Sequence, residues 1–358
     1  SGVRSSMPGS HGFAPNAAEV RSLQSAACAY RDLDHWSLSD VWSDLTTVLP
    51  AECDYMPPRS RWRIFNGFDW TRWTSQHWEI PLVAVVAYLL MMVSVKAFMA
   101  ERTPIYLQPI VLSWNFGLSF FSIAGLVYTV PQLIWGEDVG LVEGGWYVSV
   151  CAHASSYGMG ESGFFVCLFI YSKLAELLDT FFLLLRKSPV ILLHWYHHVT
   201  VLLYCWHAYS VRIGTGLWFA SMNYSVHALM YFYYGVTQTG PKGRKIAKKF
   251  SMMITSLQLL QMVVGIGVTV SSVVYHAQGK TCYVNLTNSI LGLVMYSSYF
   301  VLFLQLFLSH YVYNTRPKSK QVLTPPKTET APSEAFKQAA DATAKAKPTE
   351  EPKKKHRE

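Results

Sequence analysis

Three histidines stand close together in an apolar stretch of the chain: His194, His197 and His198. On a helix, offsets of three and four residues put all three imidazoles on one face. Ionisable side chains at bilayer depth are costly unless they line the interior of a protein. In a membrane protein this cluster therefore predicts a functional site, where imidazole serves as nucleophile, as general acid or base, or as metal ligand.

A second polar face precedes the histidines. Its members, at steps of three or one residue, are Lys173, Glu176, Asp179 and Thr180. At that spacing they share about a third of the helix circumference. A structural ion pair between Lys173 and Glu176 is the simpler explanation of two of them. A mid-membrane Asp179 without a partner in its own helix favours a shared polar cavity.

Two later stretches add side chains that donate or accept hydrogen bonds. They carry Asn223 and His227 one helical turn apart, then Tyr231 and Tyr234, and further along Gln258 and Gln261. Each set falls on one helical face. We expect them to converge on the histidines, although the two glutamines alone would also suit bonds between helices.

Metal binding is the first chemistry to weigh, because imidazole suits zinc and iron. An iron-dependent membrane desaturase or hydroxylase needs histidines in several separate boxes, whereas one box here is joined only by His227. A single zinc lacks a carboxylate or cysteine box at ligand spacing. The sequence therefore predicts no metal and favours a histidine nucleophile or general base whose tautomer a carboxylate fixes.

The composition indicates which elements must position these groups. The chain has 358 residues, of which 51% are hydrophobic, 15% aromatic and 15% charged, a balance typical of membrane proteins. A formal charge of +8 could indicate a nucleic-acid partner. Since Lys and Arg concentrate in two short loops and a tail, membrane topology explains the charge and no nucleic acid is expected.

Apolar segments of about 20 residues, enough to cross a ~30 Å hydrocarbon core, predict an all-α polytopic membrane protein with seven spans. The predicted spans are 80–98, 109–134, 163–185, 189–209, 215–236, 250–274 and 289–311. Residues 1–76 are predicted to be a partly disordered leader that ends in an interfacial aromatic belt. Residues 77–313 are the predicted helical domain, and 314–358 a disordered basic tail.

The basic connections all fall on one side if seven spans alternate, and they include Arg186, Lys187 and Lys245. The positive-inside rule makes that side cytosolic, which puts the C-terminus in the cytosol and the N-terminus in the lumen. The connection over 136–160 fits this orientation, because it has acidic residues and no Lys or Arg.

Two further features lie in connections predicted to be lumenal. Cys151 and Cys282 are candidates for a disulfide in an oxidising compartment, with two unpaired thiols as the equal alternative. Asn285-Leu286-Thr287 matches a glycosylation acceptor, and its closeness to the last span speaks against its use.

The polar motifs together resemble those of the ELO family of fatty acid elongases. They are Lys173-x-x-Glu176-x-x-Asp179-Thr180, His194-x-x-His197-His198, Asn223-x-x-x-His227-x-x-Met230-Tyr231-x-Tyr233-Tyr234 and Thr255-x-x-Gln258-x-x-Gln261. Their order is the family's order, and the similarity extends from about Phe65 to Tyr313. Residues around the histidine box resemble the branch that acts on saturated and monounsaturated chains.

The resemblance implies a 3-ketoacyl-CoA synthase of the endoplasmic-reticulum membrane. Such an acyltransferase condenses a long-chain acyl-CoA with malonyl-CoA, releases carbon dioxide and CoA, and uses no cofactor. Six of the seven helices are expected to form an inverted barrel around an acyl tunnel, with CoA at a cytosolic mouth near Arg186, Lys187 and Lys245. Expected partners are membrane lipid and the ketoacyl-CoA reductase, dehydratase and enoyl-CoA reductase of the elongation cycle; a homo-oligomer is left open.

The resemblance also assigns roles. His197 is the nucleophile that carries the acyl group as an acyl-imidazole, and His227 assists it. His194 and His198 orient His197, while Asp179 and Glu176 fix tautomers. Contacts to substrate are expected from Lys173, Thr180, Asn223, Tyr231, Tyr234, Gln258 and Gln261.

Three alternatives stay open at this point. Histidine could act only as a base, without a covalent intermediate. The chain could be an iron-dependent desaturase or hydroxylase, which the shortage of histidine boxes speaks against. It could also be a non-enzymatic seven-helix transporter, which the lack of self-similarity between its halves speaks against.

Overall fold

The computed structural model describes residues 65–136, 139–151 and 160–313, and the elements in these ranges are α-helical. In chain order they are α1 (Gly67–Gln76), α2 (Glu79–Phe98), α3 (Gln108–Trp135), α4 (Leu141–Cys151), α5 (Gly160–Glu176), α6 (Leu178–Leu185), α7 (Leu192–Ser210), α8 (Gly216–Gln238), α9 (Pro241–Lys248), α10 (Ser251–Ala277) and α11 (Leu286–Phe307), followed by a π-helical turn (Leu308–Val312). The ranges described contain no strand, so the all-α prediction is confirmed for them.

Four of these helices are long and apolar enough to cross a membrane, judged by length and composition: α2, α3, α10, and α11 with its π-helical turn. The other three predicted spans fall on α5 with α6, on α7 and on α8. Those helices carry the polar motifs, and their histidines, acids and amides lower the hydropathy of the segments. Apolarity therefore supports four of the seven predicted spans, and the other three predicted spans fall on helices that carry the candidate site.

Helix α8 lies antiparallel along α3. The amide of Gln108 donates to the carbonyl of Gln238 at one end, and the Ser119 hydroxyl donates to the carbonyl of Ala228, 2.9 Å away, further along. Nearer the other end, the ring of Tyr224 lies directly against the backbone of Gly125. These contacts fix the register of the two helices over most of their length.

The connections collect at two ends of the helices. At one end the amide of Ile105 donates to the carbonyl of Leu185, at 3.0 Å, and Lys187 Nζ donates to the carbonyl of Ala100, also at 3.0 Å. This basic end carries Lys96, Arg102, Arg186, Lys187, Lys242, Arg244, Lys245, Lys248 and Lys249. Most lysines of the described residues, six of eight, therefore gather at one end.

The opposite end is held together by contacts between distant connections. The amide of Gly214 donates to the carbonyl of Tyr283 at 2.9 Å, and the Tyr147 hydroxyl to the carbonyl of Thr281 at 2.6 Å. Cys151 and Cys282 form a disulfide there, 131 residues apart in sequence. Charges at this end are mixed in sign: Asp69, Glu79, Glu143 and Glu161 with Arg72, Arg212 and Lys280.

Helix α1 corrects the predicted boundary between leader and helical domain at residues 76 and 77. The side chain of Asn66 caps it by accepting from the amides of Phe68 and Asp69. Thr71 is fully buried, and its hydroxyl accepts a 2.6 Å hydrogen bond from Arg212 Nε in the α7–α8 turn. The helical domain therefore begins before α1. The rest of the predicted leader and the predicted tail lie outside the described residues.

Other element boundaries also differ from the prediction. The single helix predicted over 163–185 is two helices that meet at Leu177. The backbone of Leu177 itself stays in the right-handed helical region. Two predicted connections contain short helices, α4 and α9. Helix α9 begins with Pro241, whose fixed φ and missing N–H suit a first helical turn, after Gly240 at φ 108°.

Candidate active site

A buried ion pair lies at the centre of the polar faces. Lys173 Nζ and Glu176 Oε1 are 2.7 Å apart, and the two residues are only 2% and 3% exposed. Lys173 also donates to the amide oxygen of Asn223 on α8, at 3.2 Å. The ion pair that was the simpler explanation of these two residues is therefore present, and its lysine also bonds to a second helix.

Asn223 connects the buried ion pair to a histidine. Because its amide oxygen accepts from Lys173, its Nδ2 is the donor to His227 Nε2, 3.2 Å away. An imidazole that accepts at Nε2 carries its single proton on Nδ1 when neutral. The buried chain from Glu176 to His227 thus sets the tautomer of His227.

Asp179 is held by two helices other than its own. One carboxylate oxygen accepts from the indole N–H of Trp114 on α3, at 2.6 Å, and the other from the hydroxyl of Tyr231 on α8, at 2.8 Å. With a donor on each oxygen, the carboxylate has one preferred orientation. The shared polar site predicted from Asp179 therefore has a physical basis in partners from other helices.

The first histidine of the box bonds to the end of the acidic motif. His194 Nε2 lies 2.8 Å from the hydroxyl of Thr180, which lies 2.7 Å from the hydroxyl of Tyr88 on α2. Thr180 is fully buried and Tyr88 is 2% exposed. This hydroxyl chain connects α2, α6 and α7.

His197 and His198 are held less completely. The ring centroid of His198 lies 4.6 Å from that of His194 and 5.5 Å from that of His197, and both pairs of rings meet edge to face. Over the described part of the chain the ring of His197 makes no hydrogen bond, while its backbone carbonyl accepts from Tyr299 at 3.3 Å. Hydrogen bonds to described residues therefore do not fix the ring of His197, in contrast to that of His194.

Two buried polar atoms near this point have no hydrogen-bond partner in the described ranges: Glu176 Oε2 and His198 Nδ1. Buried polar atoms are normally bonded, so each needs a water or a ligand group. Thr180 joins the acidic motif to His194 on α7, and Lys173 joins it to Asn223 on α8. The acidic motif, the histidine box and the α8 motif thus meet at one site.

The two glutamines are not joined to this network by any contact between described residues. The amide of Gln258 donates to Met230 Sδ at 3.3 Å, and Gln261 is 7% exposed. Met230 belongs to the same stretch of α8 as His227 and Tyr231. Gln258 thus lies beside the α8 motif through Met230 rather than bonding to an imidazole of the site.

The remaining predicted substrate contacts lie farther out. Tyr234 is 43% exposed, and its ring centroid lies 6.5 Å from that of Tyr231, which bonds to Asp179. Arg186, Lys187 and Lys245 lie at the basic end, where Lys245 is exposed and Lys187 bonds to a backbone carbonyl. None of the three contacts the buried network in the described structure.

Asn285 is the predicted glycosylation residue, and its surroundings speak against that role. Its side chain is 1% exposed and caps α11 by accepting from the amide of Asn288. Its Nδ2, the atom that would carry a glycan, is buried. The acceptor motif is therefore explained by helix capping in the folded chain.

Sequence reasoning missed Trp114 and Tyr88. Each is an amphipathic aromatic residue in an apolar span, a pattern that ordinary helix packing also produces. The sequence feature that could have identified them is a hydrogen-bond donor at bilayer depth that has no partner in its own helix. In 65–136, 139–151 and 160–313 no three or more His, Cys, Asp or Glu side chains are placed to hold a metal ion.

The similarity of this chain to known proteins agrees with the motifs that form the site. The sequence model of the ELO family, described as GNS1/SUR4, matches residues 73–320. The chain is 43% identical over 269 residues to "Fatty acid elongase 3" of Trypanosoma brucei brucei, covering 69% of this chain and 89% of that protein. It is 36% identical over 258 residues to "Very long chain fatty acid elongase 6" of Gallus gallus, covering 72% and 93%. This chain belongs to the ELO family.

Proposed function

We propose that the protein is the condensing enzyme of fatty acid elongation, an acyltransferase that forms 3-ketoacyl-CoA from a long-chain acyl-CoA and malonyl-CoA. One observation carries the proposal: His197 lies among buried, hydrogen-bonded groups, yet its own ring makes no hydrogen bond to a described residue. An unbonded imidazole among fixed neighbours suits a nucleophile. The relatives' names support elongation as the process.

In the first step a ring nitrogen of His197 attacks the thioester carbonyl of the acyl-CoA. The C–S bond breaks, the thiolate of CoA leaves, and the imidazole proton goes to that thiolate. The acyl group remains on His197 as an acyl-imidazole. Because CoA departs before malonyl-CoA binds, one binding site at the mouth serves both thioesters in turn.

In the second step malonyl-CoA loses carbon dioxide, and the electron pair of the broken C–C bond forms an enolate. The enolate carbon attacks the acyl carbon, the N–C bond breaks, and the imidazole regains a proton from solution. The sum is acyl-CoA, malonyl-CoA and one proton giving 3-ketoacyl-CoA, carbon dioxide and CoA. This balance requires no cofactor.

The neighbouring groups have supporting roles in this scheme. His227, fixed by Asn223, orients the malonyl thioester or transfers a proton, and Lys173 supplies positive charge beside the developing enolate. Gln258 and Gln261 lie on α10 as further donors to thioester or enolate oxygens. Asp179, held by Trp114 and Tyr231, stays in a fixed orientation during both steps.

The proposed arrangement in the membrane follows from the two ends of the molecule. The chain crosses the membrane seven times, with six helices around an acyl tunnel. The positive-inside rule puts the basic end in the cytosol and the opposite end in the lumen of the endoplasmic reticulum. The phosphates of CoA would lie near Arg186, Lys187 and Lys245. From His197 to Ser210, α7 extends about 20 Å, a length comparable to that of a long acyl chain.

The test is a condensation assay with the purified full chain in detergent. Palmitoyl-CoA and radiolabelled malonyl-CoA should give labelled 3-ketoacyl-CoA. His197→Ala should remove the activity, whereas His310→Ala, at an exposed histidine outside the site, should keep it. A chelator should leave the rate unchanged. No product from wild type at any acyl length, or a rate that depends on added iron, would overturn the proposal.

A further inference from the structure

Helix α2 lies at the edge of the structure, where most of its side chains are exposed. Its buried residues are Pro81 and Tyr88. It packs against α6 and α7, the helices that carry Thr180 and His194. Tyr88 is thus the buried polar group that α2 contributes, and it is directed at the candidate site.

The contacts of Tyr88 form a chain that ends on an imidazole. Its hydroxyl lies 2.7 Å from Thr180 Oγ1, and Thr180 Oγ1 lies 2.8 Å from His194 Nε2. Its ring centroid is 6.4 Å from that of His198. Tyr88 therefore reaches two of the three histidines of the box, one through a hydroxyl and one by ring contact.

The direction of this chain follows from its first member. Thr180 Oγ1 is the hydrogen-bond partner that the described structure offers to the Tyr88 hydroxyl. If Tyr88 accepted from Thr180, the phenolic proton would be buried without an acceptor, a costly arrangement. Tyr88 therefore donates to Thr180, Thr180 donates to His194 Nε2, and the proton of His194 resides on Nδ1.

This direction also fixes the charge of His194. An imidazolium has N–H groups on both nitrogens, so it could not accept the bond from Thr180. As long as the hydroxyl chain is intact, the neutral form of His194 is favoured. That keeps a positive charge away from His198, whose ring is 4.6 Å from His194, and from the adjacent His197.

We propose that Tyr88 is a positioning residue of the condensation reaction, acting through Thr180 to hold His194 neutral, in one tautomer and one orientation. The inference rests on the proposed function, because it assigns a part in that reaction. It gives the edge helix α2 a role in chemistry as well as in membrane anchoring. No reacting atom is in contact with Tyr88 itself.

The decisive variants remove one hydroxyl at a time. Tyr88→Phe keeps the ring and its packing, and Thr180→Val keeps the side-chain shape. Each should lower kcat about 10-fold, the rate equivalent of one hydrogen bond, with KM for both thioesters unchanged. Thr180→Ser, which restores a hydroxyl, should keep the wild-type kcat. Tyr128→Phe on α3 is the matched control: its ring stacks on Phe165, and its hydroxyl makes no hydrogen bond to a described residue.

The double variant separates a hydroxyl chain from two independent structural effects. With Thr180→Val already present, adding Tyr88→Phe should lower kcat no further, because the chain is already broken. If the two losses in kcat multiply in the double variant, or if Tyr88→Phe keeps the wild-type kcat, this inference is overturned. The proposed function is not affected by either result, as long as the wild type forms 3-ketoacyl-CoA. A wild type that forms no product would overturn the proposed function and the inference with it.

Discussion

At the scale of single residues, the four imidazoles of the site differ in what their ring nitrogens bind. His194 bonds to Thr180 and His227 to Asn223, whereas His198 Nδ1 and the ring of His197 have no partner in the ranges described. Sequence spacing treats the histidines of the box as equivalent members of one face. The structure distinguishes them, because their bonding depends on α6 and α8, which spacing within α7 cannot reveal.

The buried ion pair supports a prediction about stability. Lys173→Met leaves Glu176 charged and buried without its partner, which should destabilise the fold by about 3–5 kcal/mol. The double variant Lys173→Met with Glu176→Gln removes both charges and should recover much of the loss. Thermal unfolding in detergent, followed by intrinsic tryptophan fluorescence, measures both.

The control for this prediction is Lys280→Met, at an exposed lysine outside the network, which should unfold like wild type. Equal unfolding midpoints for the single and double variants at positions 173 and 176 would contradict the account. In that case the two charges would not depend on each other for their burial.

At the scale of elements, periodicity and apolarity predicted helices well where a helix faces lipid. Each of the seven predicted spans falls on helical residues, and the errors lie at the ends, in the connections and at one break inside a span. Helix α1 was missed because its sequence is polar, and its order comes from the Asn66 cap and from Arg212, which is distant in sequence. The break at Leu177 was missed because both sides of it continue one helical pattern.

Contacts between helices also explain why Trp114 and Tyr88 were not predicted as part of the site. Trp114 and Tyr88 lie in two of the four apolar helices that could cross a membrane, where an aromatic residue is an ordinary packing residue by pattern. Their importance comes from reaching Asp179 and Thr180 across helix boundaries. Polar motifs within one helix were therefore predictable, and the aromatic donors that complete them from other helices were not.

Packing of α3 on α8 gives a prediction with a control on the same helix. A Cβ atom at Gly125 would collide with the ring of Tyr224, while one at Gly117 meets nothing within 4 Å. Gly125→Leu should therefore destabilise the fold by about 1–3 kcal/mol through overpacking. Gly117→Leu should be neutral or slightly stabilising, because leucine favours helix more than glycine does.

Unfolding midpoints of the two glycine variants, measured side by side in detergent, decide this point. Because Tyr224 also donates to the carbonyl of Phe165 at 2.8 Å, displacement of its ring should loosen α5 as well. Equal midpoints would mean that α3 and α8 are not packed as closely as described.

At the scale of the whole molecule, the two ends differ in charge, and this predicts orientation. If the basic end is cytosolic, a tag at the C-terminus should be digested by protease added to intact microsomes, and a tag at the N-terminus should be protected. The disulfide of Cys151 and Cys282 would then face the oxidising lumen. Detergent-opened microsomes, in which both tags are digested, are the control. A protected C-terminal tag would reverse the orientation.

The central claim is that His197 carries the acyl group between two half-reactions. The most direct measurement is mass spectrometry of the purified chain after incubation with palmitoyl-CoA alone, beside His197→Ala and His310→Ala. We predict an added palmitoyl mass on the peptide that contains His197, present in His310→Ala, absent in His197→Ala, and released as 3-ketoacyl-CoA when malonyl-CoA is added. A wild type that makes 3-ketoacyl-CoA but never carries the acyl mass would contradict the covalent route and leave His197 a base.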